Sequence, residues 1–217
     1  MNINIEFSKE ENIMANATYT PKPTEVCITG IGSYLNLWEP KAFGTNDPKY
    51  SMVILFKKTD KRQVEAVRKA IDAAEEAAID KVWKGKRPGK INSPVHDGDE
   101  LDDNGQRVKG PEYEGMYYMN VSNRDKPGIV DQNVQPILER DKIYSGCIVN
   151  CFMNFFGYSQ NGNNGISASL ENVQLVSDGK RLSGKQPASA VFAPVTDEDL
   201  AEIDDYLQSE DLPDYFK

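Results

Sequence analysis

The stretch 142–158, KIYSGCIVNCFMNFFGY, alternates two kinds of side chain over a length that commits it to a strand. One face reads Ile143, Ser145, Cys147, Val149, Cys151, Met153 and Phe155, small and apolar, as a buried core requires. The other reads Tyr144, Gly146, Ile148, Asn150, Phe152, Asn154, Phe156 and Tyr158, with rings set among amides. Rings presented this way suit a platform for nucleobases, because every base has a π-face and stacking is worth about 1–3 kcal/mol per base. The competing arrangement packs the same rings beneath a helix as a second core layer.

The rest of the chain supplies partners for that strand. Residues 25–38 read as a strand in which Gly30 and Gly32 allow a bend or a close backbone approach. Residues 49–57 read as another. Thr59 or Asp60 then caps a helix whose apolar positions, Val64, Val67, Ile71, Ala74, Ala78 and Val82, recur every three or four residues; it stops near Trp83, before Gly85. Residues 84–114 read as mostly loop, 116–122 as a strand, and 124–132 as a turn region. NGNNG at 161–165 is a strong turn signal, followed by a strand over 165–176 and a turn at Asp178-Gly179. The expected fold is mainly β: an OB-fold-like barrel of five to six strands with one inserted helix at about 60–83, a β-sandwich being the second choice. The expected organisation is a loose leader at 1–23, a binding domain at 24–192 and an acidic tail at 193–217. Within the leader, Met14 reads as a plausible start in its own right.

Charge placement separates body from tail. The chain has 34 acids, 25 Lys and Arg and a formal charge of −9. Residues 197–217 hold nine of the acids (Asp197, Glu198, Asp199, Glu202, Asp204, Asp205, Glu210, Asp211, Asp214) and one base, Lys217, leaving 25 acids and 24 bases in the body. The body is nearly neutral, and the last 21 residues form an interaction tail. Thr196-Asp197-Glu198-Asp199 has the form of a capping box, with Leu200, Ile203 and Leu207 as a narrow apolar stripe behind it. Carboxylates followed by Tyr215 and Phe216 can mimic phosphates and bases, so Asp197, Glu198, Asp199, Asp204, Asp205, Asp211, Asp214, Tyr215 and Phe216 are candidates for regulation and partner docking. A purely solubilising tail is the plainer alternative.

Several chemistries lose their footing. Hydrophobic content of 39% supports one modest core. The N-terminus lacks the basic and apolar regions of a secretory signal, and no apolar run could span a bilayer, so a cytoplasmic protein is expected. Cys27, Cys147 and Cys151 are an odd set; the last two would lie about 13 Å apart on one strand, too far for a disulfide. His96 is the single histidine and there is no CxxC, which argues against zinc and against a His-activated nucleophile. The acidic loop 97–105 does not fit an EF-hand. A metal-dependent nuclease using Asp97, Asp99, Asp102 and Asp103 is an alternative; a solvated loop is the preferred reading, and a turn fixed by Asp97 and Asp99 around Gly98 is a third. No cofactor is expected.

The densest basic segment is 81–92, KVWKGKRPGKIN, with Lys81, Lys84, Lys86, Arg87 and Lys90, no acid, and Trp83. Cations on a glycine-rich loop can track phosphates, and Trp83 could stack; a solvated helix end whose cations suit the C-terminal dipole is the alternative. Lys57 and Lys58, with Lys61 and Arg62, make a second cluster. The candidate stacking rings are Tyr34 and Trp38, which share a face of the first strand, Trp83, Tyr118, Tyr144, Phe152, Phe156 and Tyr158.

Taken together, Leu37-Trp38-Glu39-Pro40-Lys41 with Lys49-Tyr50-Ser51, Asp97-Gly98-Asp99, Ile143-Tyr144-Ser145-Gly146-Cys147, Asn163-Asn164-Gly165-Ile166-Ser167-Ala168 and Asn172-Val173-Gln174 give the chain a family likeness across residues 25–192. It resembles the bacteriophage single-stranded DNA-binding proteins, OB-fold proteins related in architecture to the acidic-tailed binding protein of short-tailed coliphages. The resemblance implies sequence-independent binding of single-stranded DNA in phage replication, recombination or repair, without catalysis, inside the bacterial host. It also implies phage or host replication proteins as partners of the tail, and leaves a homo-oligomer open. A protein-interaction module acting through the tail alone is the remaining alternative. In the coliphage relatives the chain ends on an aromatic residue, whereas here Lys217 follows Phe216. If the tail competes with DNA, a chain truncated after residue 196 should bind oligo(dT) more tightly than the full chain. Titrations at rising salt should close the gap; equal affinities at low salt would remove the competition.

Overall fold

The computed structural model describes residues 19–42, 44, 47–182 and 191–200. In chain order its main elements are β1 (Glu25–Lys41), β2 (Lys49–Lys57), α1 (Lys61–Lys81), β3 (Val95–Asp97), β4 (Met116–Asn123), β5 (Gly128–Val130), β6 (Ile148–Gln160) and β7 (Asn163–Ser177). The chain divides into two compact units, Met1–Ser183 and Gly184–Lys217.

β1 is long because it serves two neighbours. Its first part, Glu25 to Ile31, runs antiparallel to β6, and Ile31 onwards runs antiparallel to β2. The change of partner falls at Gly30, where the backbones come so close that a Cβ would sit 2.1 Å from the Leu55 carbonyl oxygen. β2 continues to β4, β6 to β7, and β4 meets β7 in parallel at Val121 and Ala168. That last contact closes a five-stranded barrel in the order expected of an OB-fold. β3 adds to the free side of β4 and β5 runs parallel to β7.

The inward side chains follow the alternation of β2, β4 and β6, with one shift of phase in β7 between Leu170 and Val173. Val149, Cys151, Met153 and Phe155 of β6 are buried with Met52, Ile54 and Phe56 of β2, Met119 and Val121 of β4, and Leu170 and Val173 of β7. Each large apolar side chain so buried contributes about 1.5–3 kcal/mol. Asp60 caps α1 by accepting from the Gln63 N–H at 3.1 Å, while the Gln63 side chain accepts from the Thr29 N–H of β1 at 2.6 Å. The small face of α1, Ala70, Ala74 and Ala78, is buried in the same core. At Gly157, a Cβ would fall 2.2 Å from that of Ala78. The helix therefore lies on the inward face of β6, and the rings on its outer face are not beneath it.

Three expectations are corrected. The segment 142–158 is not one strand: Gly146 at φ +116 breaks the extended run, the Cys147 N–H turns back to the Tyr144 carbonyl, and β6 starts only at Ile148. The longest strand is β1, at 17 residues. Residues 84–114 and 124–132 hide β3 and β5, three-residue strands too short to show a period. In the second unit, Thr196 and Asp199 form the expected reciprocal cap, Asp199 N–H donating to Thr196 Oγ1 at 3.2 Å and Thr196 N–H to Asp199 Oδ2 at 2.7 Å. The rest of the tail, including Glu202, Asp204, Asp205, Asp211, Asp214, Tyr215 and Phe216, lies outside the described residues.

Gly157→Ala should lower stability by about 1–3 kcal/mol in urea unfolding, because the helix must retreat from β6. Gly89→Ala, where a Cβ meets nothing within 4 Å, should change it by less than about 0.5 kcal/mol.

Candidate nucleic-acid interface

With Met52, Ile54 and Phe56 inward, alternation sends Ser51, Val53 and Leu55 of β2 outward. In the register of β2 and β4 these stand opposite Ser122, Asn120 and Tyr118. Asn36 of β1 joins the row, its side-chain amide donating to Ser51 Oγ at 3.1 Å. All of these but Leu55 line an open groove of about 1120 Å³. The loop between β1 and β2 contributes Asp47 to its lining, and the segment before β4 contributes Val108, Lys109, Gly110, Glu112 and Tyr113.

Its lining holds four cations, Lys41, Lys49, Lys109 and Arg124, against two acids, Asp47 and Glu112. The groove is thus locally positive on an acidic chain, which suits a polyanion. Arg124 pairs with Asp47 at 2.7 Å, linking the end of β4 to the loop before β2. Tyr34 is the most open tyrosine in the groove, 67% exposed. β1 carries an extra residue between Ser33 and Asn36 relative to β2, and Tyr34 sits at that bulge with φ 49. A bulky residue in that region is strained and persists only where its surroundings hold it, a pattern typical of functional sites. Tyr118 and Tyr113 meet edge to face at 5.1 Å, and Lys109 Nζ lies 5.2 Å from the Tyr118 ring centre. Burial pushes the Tyr113 hydroxyl up to about 12, so it stays neutral.

The sequence-predicted residues scatter. Tyr34 and Tyr118 line the groove. Trp38 does not share an open face with Tyr34: the bulges of β1 interrupt the alternation, and Trp38 packs on the core with Lys126 Nζ 5.2 Å from its ring centre. Trp83 is no loop ring. It is 7% exposed in the core, and its indole N–H donates to the Tyr158 carbonyl at 3.1 Å. Tyr158 is half-buried over Gly165. Tyr144 is held by Asp178 and Gly179, with the Arg181 guanidinium 3.8 Å over its ring. Phe152 and Phe156 stand on the outer face of β6 opposite Asn172 and Ser167 of β7; Phe152 takes the edge of Tyr19, and Phe156 is exposed.

The predicted cations also divide. Lys81, Lys84, Lys86 and Lys90 are exposed and make no ion pair among the described residues; Arg87 pairs with Glu75. None of these five lines the groove. The basic segment ends at Asn92, which bonds into β7 at Asn164 and Ile166, beside the β6–β7 hairpin. Lys57 lines a smaller cavity of about 380 Å³ with Arg62 and Gln63. Lys58 is consumed by the acidic loop: its ammonium bonds Asp97 and, at 2.8 Å, Asp99. Asp97 also accepts from the Asp99 N–H and Asp99 from the Gly115 N–H, while Asp102 accepts from the Asn104 and Gln106 N–H groups. These carboxylates bond backbone N–H groups rather than standing solvated, and among the described residues no three potential ligands gather for a metal. Lys41, Lys49, Lys109, Arg124, Tyr113 and His96 were missed, because they are spread along the chain and converge only through strand register.

The model of the family described as Enterobacter phage Enc34, ssDNA-binding protein, matches residues 26–205. Protein p50 of Acyrthosiphon pisum secondary endosymbiont phage 1 is 31% identical over 188 residues, 82% of this chain and 95% of that protein. The single-stranded DNA-binding protein of bacteriophage Enc34, solved in complex with ssDNA, superposes with a TM-score of 0.63 at 20% identity, covering 75% of this chain and 91% of that one. The bacteriophage T7 single-stranded DNA-binding protein gp2.5 superposes with a TM-score of 0.50 at 15% identity, covering 75% and 97%. The two structural matches share the barrel fold.

The Lys58 clamp has a pH signature. Hydrogen bonding to Lys58 holds both Asp97 and Asp99 below the ordinary carboxylate range, so the stabilisation they give is present above that range and lost as pH falls through their lowered values. In Lys58→Ala both carboxylates should titrate higher, and acid unfolding should begin at higher pH; side-chain carboxyl NMR titration reads this directly.

Proposed function

The chain belongs to the family of phage single-stranded DNA-binding proteins represented by that of Enterobacter phage Enc34, and on that premise we propose that it binds single-stranded DNA, without sequence preference, along the groove over β1, β2 and β4. The family is one of binding proteins rather than enzymes. The observation that carries the reading is a positive groove on an acidic chain, with the ring of Tyr34 held open inside it. OB-folds take oligonucleotides on this face, between the loop joining their first two strands and the hairpin joining their last two. Lys49, Lys109 and Arg124 neutralise phosphates, and Tyr34 stacks on a base. The basic segment 81–90 leaves the body near the β6–β7 hairpin, whose Gln160 also lines the groove, and extends the phosphate path. In this reading the acidic tail competes with DNA for these cations and recruits replication proteins. The protein then serves phage replication, recombination or repair in the host cytoplasm.

The test is a titration of labelled oligo(dT) and of duplex at several salt concentrations. Oligo(dT) should bind far more tightly than duplex, with affinity falling steeply with salt. Tyr34→Ala should cost about 1–3 kcal/mol, the usual loss of one stacked base. Lys109→Ala should reduce the salt slope by about 0.7, the share of one single-strand phosphate contact. Equal affinity for duplex, or none for either, would overturn the proposal.

A further inference from the structure

Tyr118 lines the groove but has little ring left to offer, being 8% exposed. Leu55 stands beside it in β2, the edge contact with Tyr113 and the Lys109 ammonium crowd it, and His96 covers one face. The His96 contact follows from register. β3 pairs with β4 so that His96 is directly opposite Tyr118, and directly opposed side chains on one face of a sheet touch. The two rings stack with centres 5.0 Å apart and planes 23° from parallel. Behind Tyr118, Tyr113 is fixed in a buried position. Three rings from three segments therefore form a column ending at the groove, and its open end is His96, which is exposed. Its ring nitrogens make no hydrogen bond or ion pair among the described residues. β3 is itself braced, since Gly98 bonds Met116 and the Lys58 clamp holds Asp97, its last residue, and Asp99 just beyond it.

We infer that His96 is the base-stacking residue at the β3 end of the groove, taking a nucleobase of single-stranded DNA on its open face, with Tyr118 and Tyr113 as positioning residues behind it. The inference rests on the proposed function and adds a second stacking site to Tyr34. An imidazole backed by a phenol ring is pre-organised, so little freedom is lost when a base arrives. Stacking of this kind tolerates any base, as a sequence-independent binder requires.

His96 is the single histidine of the chain, so its imidazole gives one isolated set of NMR resonances in the untagged full-length protein. Oligo(dT) should move its Cε1–H resonance upfield through the ring current of the stacked base, and an abasic deoxyribose-phosphate oligomer should not. His96→Ala should weaken oligo(dT) binding about tenfold. His96→Tyr should restore it, because a ring is needed and not an imidazole. Tyr118→Leu should shrink the penalty of His96→Ala. If the wild type binds oligo(dT) while the resonance stays in place and His96→Ala binds as tightly, the inference is overturned and the proposed function stands. If the wild type does not bind oligo(dT) at all, both fall.

Discussion

One strand has to pair with two neighbours that face different halves of the barrel, and the fold depends on how β1 manages it. The two backbones could not approach as they do at Gly30 with any side chain there. Beyond that point β1 bulges twice against β2. Bulges sharpen bend and twist, which carries β2 and β4 round to meet β7 and removes the open edges a flat sheet would expose. The strain that closes the barrel also places Tyr34 in a backbone conformation an ordinary strand would not allow. Closure and the most open tyrosine of the groove share one physical origin.

The groove floor is the other half of the same alternation. Once Met52, Ile54, Phe56, Met119 and Val121 are committed to the core, Ser51, Val53, Asn120 and Ser122 have nowhere to point but outward. A mostly small and polar floor leaves room above it. The walls come from loops that are stiffened rather than left loose. Asp99, Asp102 and Lys58 spend their charge on backbone N–H groups and on each other. Asp97 and Asp99 brace the end of β3, and Asp102 closes the turn that follows.

Much of the barrel was legible because period-two alternation is a local signal. The core face of β6, the whole of β2 and the limits of α1 follow from residues within a few positions of one another. The groove was less legible, for a physical reason. Lys49, Lys109 and Arg124 lie far apart in the chain, and no window contains them together. The segment 81–92, which does fit in one window, drew attention instead, yet its tryptophan is drawn into the core by a carbonyl partner and by the small residues of α1 and β6 around it. In the sequence His96 bears only on zinc binding and on a nucleophile's activation. Its stacking neighbour becomes visible only when the three-residue β3 is laid against β4.

The placement of the two tryptophans has an optical consequence. Trp83 sits in the core and Trp38 packs on it, and neither lines the groove. Their emission reports on the integrity of the barrel. The groove is furnished with tyrosine, so its natural chromophore is the phenol ring, and in this protein folding and ligand occupancy are written in different parts of the ultraviolet spectrum.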